Sequence, residues 1–180
     1  SSWDSFKLQT TKLSNASNSG TSGDDTLVGN ELNNVINGYA GNDILLGETG
    51  NDTLTGGAGN DTLTGGGGFD TFQVDSGTDT ITDLETGDVF IVSSGATLNT
   101  LDIQSFIATS NTSNNGTAVL TAHNSGSNID LTNSSIGDYT LNGKVIRAEA
   151  EVDPRTRMLS VVASISEKNN NSKNLILVGQ

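Results

Sequence analysis

The 180-residue chain has no cysteine and a single proline, so neither a disulfide nor a thiolate metal site can stabilise it. No apolar run approaches the roughly 18 residues that a membrane-spanning helix needs. Basic residues are missing from 13–143, where 16 acidic residues occur, and the net charge is -13. Such a segment repels itself unless cations bind it, and it is a poor partner for nucleic acid or an anionic membrane.

What the chain does have is a strict ninefold register. An acid, replaced once by asparagine, recurs at every ninth position, and a large apolar residue follows two positions later. The acid series is Asp25, Asn34, Asp43, Asp52, Asp61, Asp70, Asp79 and Asp88, and the apolar series is Leu27, Ile36, Leu45, Leu54, Leu63, Phe72, Ile81 and Phe90. A short fixed period predicts a solenoid. Blocks of acid are usually disordered, but disorder does not require such a register.

The clearest units surround the middle of the series. They read GYAGNDILL from Gly38, GETGNDTLT from Gly47, GGAGNDTLT from Gly56 and GGGGFDTFQ from Gly65. These units resemble the G-G-x-G-x-D-x-U-x nonapeptide of the RTX, or haemolysin-type calcium-binding, family, where U is a large apolar residue. The resemblance is specific over 38–73 and weaker, but in phase, over 20–91.

The residue types suit a calcium site, because Ca²⁺ takes 6–8 oxygen ligands from carboxylates and carbonyls. Glycine permits the tight corners that turn carbonyls toward one point, and aspartate adds a charged oxygen. The candidate metal-binding residues are Asp43, Asp52, Asp61 and Asp70, with Asp25 and Asp79 beside them, then Gly38, Gly41, Gly47, Gly50, Gly56, Gly59, Gly65, Gly68, Asn42, Asn51 and Asn60. Asn34 has lost the acid, and Asp88 lies where the glycine pattern has faded.

The resemblance implies an all-β fold, a right-handed parallel β-roll in which two nonapeptides make one turn and calcium is shared by loops one full turn apart. Asp25, Asp43 and Asp61 would then lie on one edge and Asp52 and Asp70 on the other. We expect a lead-in or cap over 1–19, the roll over 20–91, a Thr/Ser/Asn-rich spacer over 92–143 and a basic strand tail over 144–180. The spacer's short apolar runs and turn signals predict antiparallel strands. The tail is similar to a segment of periplasmic adaptor (membrane-fusion) proteins, with an unrelated closing hairpin as the alternative.

These features predict a calcium-binding module that folds when it meets extracellular calcium, because calcium removes the repulsion and binds only the folded state. The resemblance implies export by type I secretion machinery and a place in a secreted or cell-surface adhesin-like protein. The alternative is the non-catalytic tail of a secreted protease, lipase or epimerase. No catalytic set surrounds the single histidine, His123, so we expect no enzyme. Calcium-triggered cleavage at Asp153-Pro154 and an ice-binding threonine face are minor alternatives.

Overall fold

A computed structural model of the chain describes residues 10–12, 17–123, 127–131, 133–134, 138–142, 145–152, 159–165 and 175–177. Every regular secondary-structure element in these ranges is a β-strand, which confirms the all-β prediction. The strands are β1 (Thr10–Lys12), β2 (Ser17–Ser19), β3 (Thr26–Asn30), β4 (Val35–Ala40), β5 (Ile44–Glu48), β6 (Thr53–Ala58), β7 (Thr62–Thr64), β8 (Thr71–Val74), β9 (Thr78–Ile81), β10 (Val89–Val92), β11 (Thr97–Thr100), β12 (Ser105–Ile107), β13 (Ser113–Asn114), β14 (Thr117–Thr121), β15 (Ser127–Asp130), β16 (Asp138–Asn142), β17 (Val145–Val152), β18 (Leu159–Ile165) and β19 (Leu175–Leu177).

From β1 to β11 successive strands alternate between two stacked sheets, so the chain winds as a parallel β-solenoid, and β12, β15, β18 and β17 form a third sheet in that order. One sheet has the order β1-β3-β5-β7-β9-β11-β14-β16-β19 and the other β13-β10-β8-β6-β4-β2. Within 17–92 the strands of each sheet pair in parallel, and each residue pairs with the one that lies two nonapeptides further along the chain. This is the predicted β-roll, in which two nonapeptides complete one turn.

The core follows from the alternation of side chains along each strand. Leu27, Leu45, Leu63 and Ile81 form one column in the first sheet, and Ile36, Leu54, Phe72 and Phe90 form the other column in the second sheet, as predicted. All eight side chains are buried. The two residues beside each one point outward, so the roll has a narrow core, one large side chain wide.

The described strands between 92 and 143 pair in parallel with one another and continue the solenoid, so the prediction that they are antiparallel to one another is wrong. Strand β11 pairs in parallel with β9 and β14, β14 with β16, and β12 with β15. Each turn of the solenoid, or rung, is longer here. Leu98 pairs with Ala118 and Ala118 pairs with Tyr139, and both steps exceed two nonapeptides. Inward apolar side chains keep the stack together without the ninefold spacing, and Phe90 stacks on Phe106 with ring centroids 5.4 Å apart.

A small antiparallel region is present, but it begins further along the chain than predicted, where β18 and β19 join the stack. Strand β18 pairs antiparallel with both β15 and β17, and β19 pairs antiparallel with β16. The proposed cleavage site at Asp153-Pro154 and most of the lead-in lie outside the described residues. The division into four predicted segments and the similarity of the tail to adaptor proteins stay predictions.

Candidate metal centre

The acid series lies at the two edges of the roll, in loops that connect the sheets. The first edge carries loops 20–25, 38–43, 56–61 and 74–79, and the second edge carries loops 29–34, 47–52, 65–70 and 83–88. We number the positions of each loop from one to six, so that Gly38 is at position one and Asp43 at position six. Every residue at position six is buried in all eight loops.

The position-six carboxylates are joined to the neighbouring rung through one oxygen. Oδ1 of Asp43 accepts the backbone N–H of Asp25 at 2.8 Å, and Oδ1 of Asp61 accepts that of Asp43 at 2.8 Å. The same contact links Asp79 to Asp61 on the first edge. On the second edge it links the pairs Asp52 with Asn34, Asp70 with Asp52, and Asp88 with Asp70. The carboxylates therefore form two ladders, one along each edge, as the two-nonapeptide turn predicts.

The second carboxylate oxygen is the unusual one. Within the described part of the chain, four buried side-chain oxygens have no hydrogen-bond partner, namely Oδ2 of Asp43, Asp52, Asp61 and Asp79. A buried acceptor with no donor costs roughly 1–3 kcal/mol, and more when it is charged. A cation would remove this cost at each position.

Glycine at position one leaves the space that such a cation needs. A Cβ on Gly38 would overlap Oδ2 of Asp43 and the carbonyl oxygen of Gly56 in the next rung. A Cβ on Gly47 would meet Oδ2 of Asp52 and the carbonyl oxygen of Gly65 in the same way. A carboxylate oxygen and a carbonyl oxygen of the adjacent rung thus lie close to each other beside the glycine Cα. Both oxygens are hydrogen-bond acceptors, so neither can satisfy the other.

Four loops share one backbone conformation, in which two residues have positive φ. Positions two and four have positive φ in loops 38–43, 47–52, 56–61 and 65–70, and these residues are Tyr39, Gly41, Glu48, Gly50, Gly57, Gly59, Gly66 and Gly68. Tyr39 (φ 75°) and Glu48 (φ 81°) adopt this shape although they carry a Cβ. The left-handed shape is unfavourable for such residues, so the fold imposes it.

Comparison with known families agrees with this geometry. The RTX calcium-binding nonapeptide repeat, in four copies, matches residues 19–54 and 46–81. Residues 19–81 are RTX repeats. The RTX repeats bind Ca²⁺ in a β-roll. No curated protein and no solved structure matches the chain.

The RTX carboxylates fit calcium electrostatically as well. Burial raises the pKa of Asp43 and of Asp70 to about 6, against the opposing effect of a backbone hydrogen bond, and nearby acids raise it further. Burial also raises the pKa of Asp52 and Asp61. The described residues include no group of three or more His, Cys, Asp or Glu side chains that could hold a metal. Backbone carbonyls and single carboxylates are the oxygen donors that these loops offer, and oxygen donors suit Ca²⁺ better than transition metals.

The RTX asparagines at position five form hydrogen bonds that the sequence did not predict, and metal binding by Asn42, Asn51 and Asn60 stays a prediction. Oδ1 of Asn42 accepts the backbone N–H of Asn60 at 2.9 Å, and Oδ1 of Asn60 accepts that of Thr78 at 2.9 Å. Asn51 does the same for Phe69. These exposed side chains bond toward the following rung, whereas the aspartates bond toward the preceding one. Their recurrence immediately before the acid is the signal that could have indicated a second ladder.

The outer loops of the acid series hold position six differently. Oδ2 of Asp25 accepts the N–H of Thr21 at 2.6 Å and its hydroxyl at 2.9 Å. Oδ2 of Asp88 accepts the N–H of Glu85 at 2.9 Å. Asp79 keeps an unpartnered Oδ2, but Val74 replaces glycine at position one of its loop. Metal binding by Asp25 and Asp79 stays a prediction.

Proposed function

We propose that loops 38–43, 47–52, 56–61 and 65–70 bind calcium through Asp43, Asp52, Asp61 and Asp70 together with carbonyls of the glycine corners. The observation that carries this proposal is the buried, unpartnered Oδ2 of Asp43 and Asp52, each beside a carbonyl of the next rung. The shared backbone shape of the four loops supports extending it to Asp61 and Asp70.

Calcium would also decide whether this part of the chain folds. Within each ladder, buried carboxylates follow one another from rung to rung, and no lysine or arginine occurs between 13 and 143. Folding without calcium places these charges together at low dielectric, where their repulsion is strongest. The calcium-bound module would therefore be folded and the calcium-free module largely unfolded over the RTX repeats.

We place this folding step outside the cell, in a type I-secreted or cell-surface adhesin-like protein. Extracellular calcium modules bind at about 10⁻⁴–10⁻³ M, a range that cytosolic calcium does not reach. The chain would stay unfolded before export and fold afterwards. The described residues contain no helix long and apolar enough to cross a membrane.

A non-enzymatic role agrees with the surroundings of His123. Its Nδ1 lies 2.6 Å from Oδ1 of Asp102, whereas the Ser127 hydroxyl accepts the backbone N–H of His123 and donates its proton to the carbonyl oxygen of Ile103. These residues therefore do not form a Ser-His-Asp relay. The alternative is a non-catalytic tail of a secreted enzyme, and the sequence upstream in the parent protein would distinguish the two. Tandem copies of this block favour the adhesin, and a catalytic domain favours the enzyme.

An ice-binding face finds no support in the outward columns. One column runs Ile44, Thr62, Thr80 and another Val35, Thr53, Thr71, Val89. Neither column repeats threonine on every rung. Threonine here is a good strand former on an exposed face.

Two measurements on the purified chain test the proposed function. Far-UV circular dichroism is recorded in excess chelator and then with increasing calcium, with magnesium as the control. We expect β signal to develop with calcium and much less with magnesium. Titration calorimetry then counts the ions. A full β signal in chelator, or no bound calcium, would overturn the proposal.

A further inference from the structure

Of the loops that the structure describes, the first on each edge hydrogen-bonds its position-six side chain to the residue at position two. In loop 20–25 this residue is Thr21, whose N–H and hydroxyl both donate to Oδ2 of Asp25. In loop 29–34 it is Asn30, whose N–H donates to Oδ1 of Asn34 at 2.7 Å and whose Oδ1 accepts the Asn34 amide at 3.0 Å. The two loops reach the same result with different side chains.

The backbone of these two loops also differs from that of the four central loops. In loops 20–25 and 29–34 the residues at positions two and four do not have positive φ, whereas both of these residues have positive φ in each central loop. The N–H at position two consequently donates within its own loop. In loops 56–61 and 65–70, position two is glycine and has no side chain to donate.

We propose that the residue at position two decides whether a loop takes calcium, and that Thr21 and Asn30 close loops 20–25 and 29–34 without an ion. Asp25 is then a structural carboxylate and not a calcium ligand, although it lies in the same ladder as Asp43. This inference rests on the proposed function of the central loops.

The physical reason is competition for one oxygen. A cation at Oδ2 of Asp25 would have to displace two hydrogen bonds, one of them only 2.6 Å long. Hydrogen bonds to a charged group are among the stronger ones that a protein makes. At Asp43 a cation displaces nothing, because Oδ2 has no partner. An end loop closed in this way gives the first central loop an ordered neighbour without requiring an ion of its own.

Calcium stoichiometry by titration calorimetry tests the inference on the full chain. The variants Asp25→Asn and Asp43→Asn are compared with the unchanged chain, because Asn34 shows that asparagine fits at position six. We expect Asp43→Asn to bind one ion fewer and Asp25→Asn to bind the same number. Loss of one ion in Asp25→Asn would overturn the inference while leaving the proposed function intact. An unchanged chain that binds no calcium would overturn both.

A gain-of-site variant tests the same idea in the opposite direction. Thr21→Gly removes the hydroxyl and gives loop 20–25 the glycine of loops 56–61 and 65–70, so we expect one additional ion. Thr21→Ser keeps the hydroxyl and is expected to leave the count unchanged. Circular dichroism at saturating calcium verifies that each variant is folded. A folded Thr21→Gly variant with no additional ion would contradict the role of Thr21, and if that variant does not fold, the Asp25→Asn count decides.

Discussion

The backbone N–H of Asp43 donates to Oδ1 of Asp61 at 2.8 Å, while Oδ2 of the same Asp61 carboxylate is buried without a partner. One oxygen therefore holds adjacent rungs together, and the other is available to a cation. A single side chain therefore contributes both to the stability of the stack and to calcium binding, and substitutions can change one contribution without the other.

Replacing Asp61 with asparagine should remove calcium binding at loop 56–61 and keep the ladder. The amide oxygen of the substituted side chain can still accept the N–H of Asp43, but the charge that attracts the cation is lost. We expect calcium-dependent stabilisation to fall by about 1–3 kcal/mol, measured as the change in urea unfolding between calcium and chelator.

The matched control is Asp24→Asn, an exposed acid on the same edge. Its Oδ1 accepts the N–H of Asn42 at 2.7 Å, and asparagine already fills the equivalent positions 42 and 60. Stability in calcium should change by less than about 0.5 kcal/mol. If both substitutions have equal effects, then the buried oxygen is not the calcium ligand and net charge alone governs binding.

Gly47→Ala should damage the second edge of the roll. The added methyl group would overlap Oδ2 of Asp52 and the carbonyl oxygen of Gly65, so we expect a loss of about 1–3 kcal/mol and weaker calcium binding. Gly67→Ala is the control, because the nearest atom to its added Cβ would be Cγ2 of Thr49 at 3.8 Å. Thermal unfolding in calcium should give a far lower midpoint for Gly47→Ala than for Gly67→Ala, and similar midpoints would contradict the close approach of Asp52 and Gly65 to Gly47.

Tyr39→Gly and Glu48→Gly should each stabilise the calcium-bound roll. Both residues have positive φ, which costs roughly 1–2 kcal/mol for a residue with a Cβ. Part of the gain is offset by the entropy of glycine in the unfolded chain, so we expect a net gain of about 1 kcal/mol. Thr49→Gly, at a position without positive φ, should instead destabilise the roll by about 0.5–1 kcal/mol. A loss of stability in both glycine variants would show that the side chains matter more than the backbone shape.

Acid should favour the calcium-free fold over the RTX repeats. The pKa is raised by burial to about 6 for Asp43 and Asp70 and to about 7 for Asp79 and Asp88, from 3.8. A raised pKa means that the folded state binds more protons, so its contribution to stability is complete below about pH 4 and is lost as pH rises through 6 to 7. In chelator, the β signal should therefore increase as pH falls from 8 to 5.

Calcium binding should show the opposite pH dependence, because protons compete for the same oxygens. The calcium concentration at half-maximal β signal should rise as pH falls from 7.5 to 5.5. A calcium midpoint that does not move over this range would indicate that the buried carboxylates are not the ligands.

Much of the roll could be predicted from the sequence because its contacts repeat at a fixed interval. The ninefold spacing places Leu45 on Leu63 and Leu54 on Phe72, and it places Asp43 and Asp52 on opposite edges. These relationships depend only on counting along a periodic chain. Beyond Val92 the rungs lengthen, so Asp79 pairs with Leu98 and no longer with another acid, and counting does not indicate the partner.

The sequence by itself determined the inward and outward faces, the two acid columns and the cation they require, because strand alternation and a turn of two nonapeptides follow from the repeat. Only the tertiary structure decided which carboxylates are available to an ion. Asp25 and Asp43 are the same residue in the same register, yet one accepts two hydrogen bonds from Thr21 and the other has a buried oxygen without a donor. That difference arises from the backbone shape at position two and from groups on the adjacent rung, which come together only when the chain is wound.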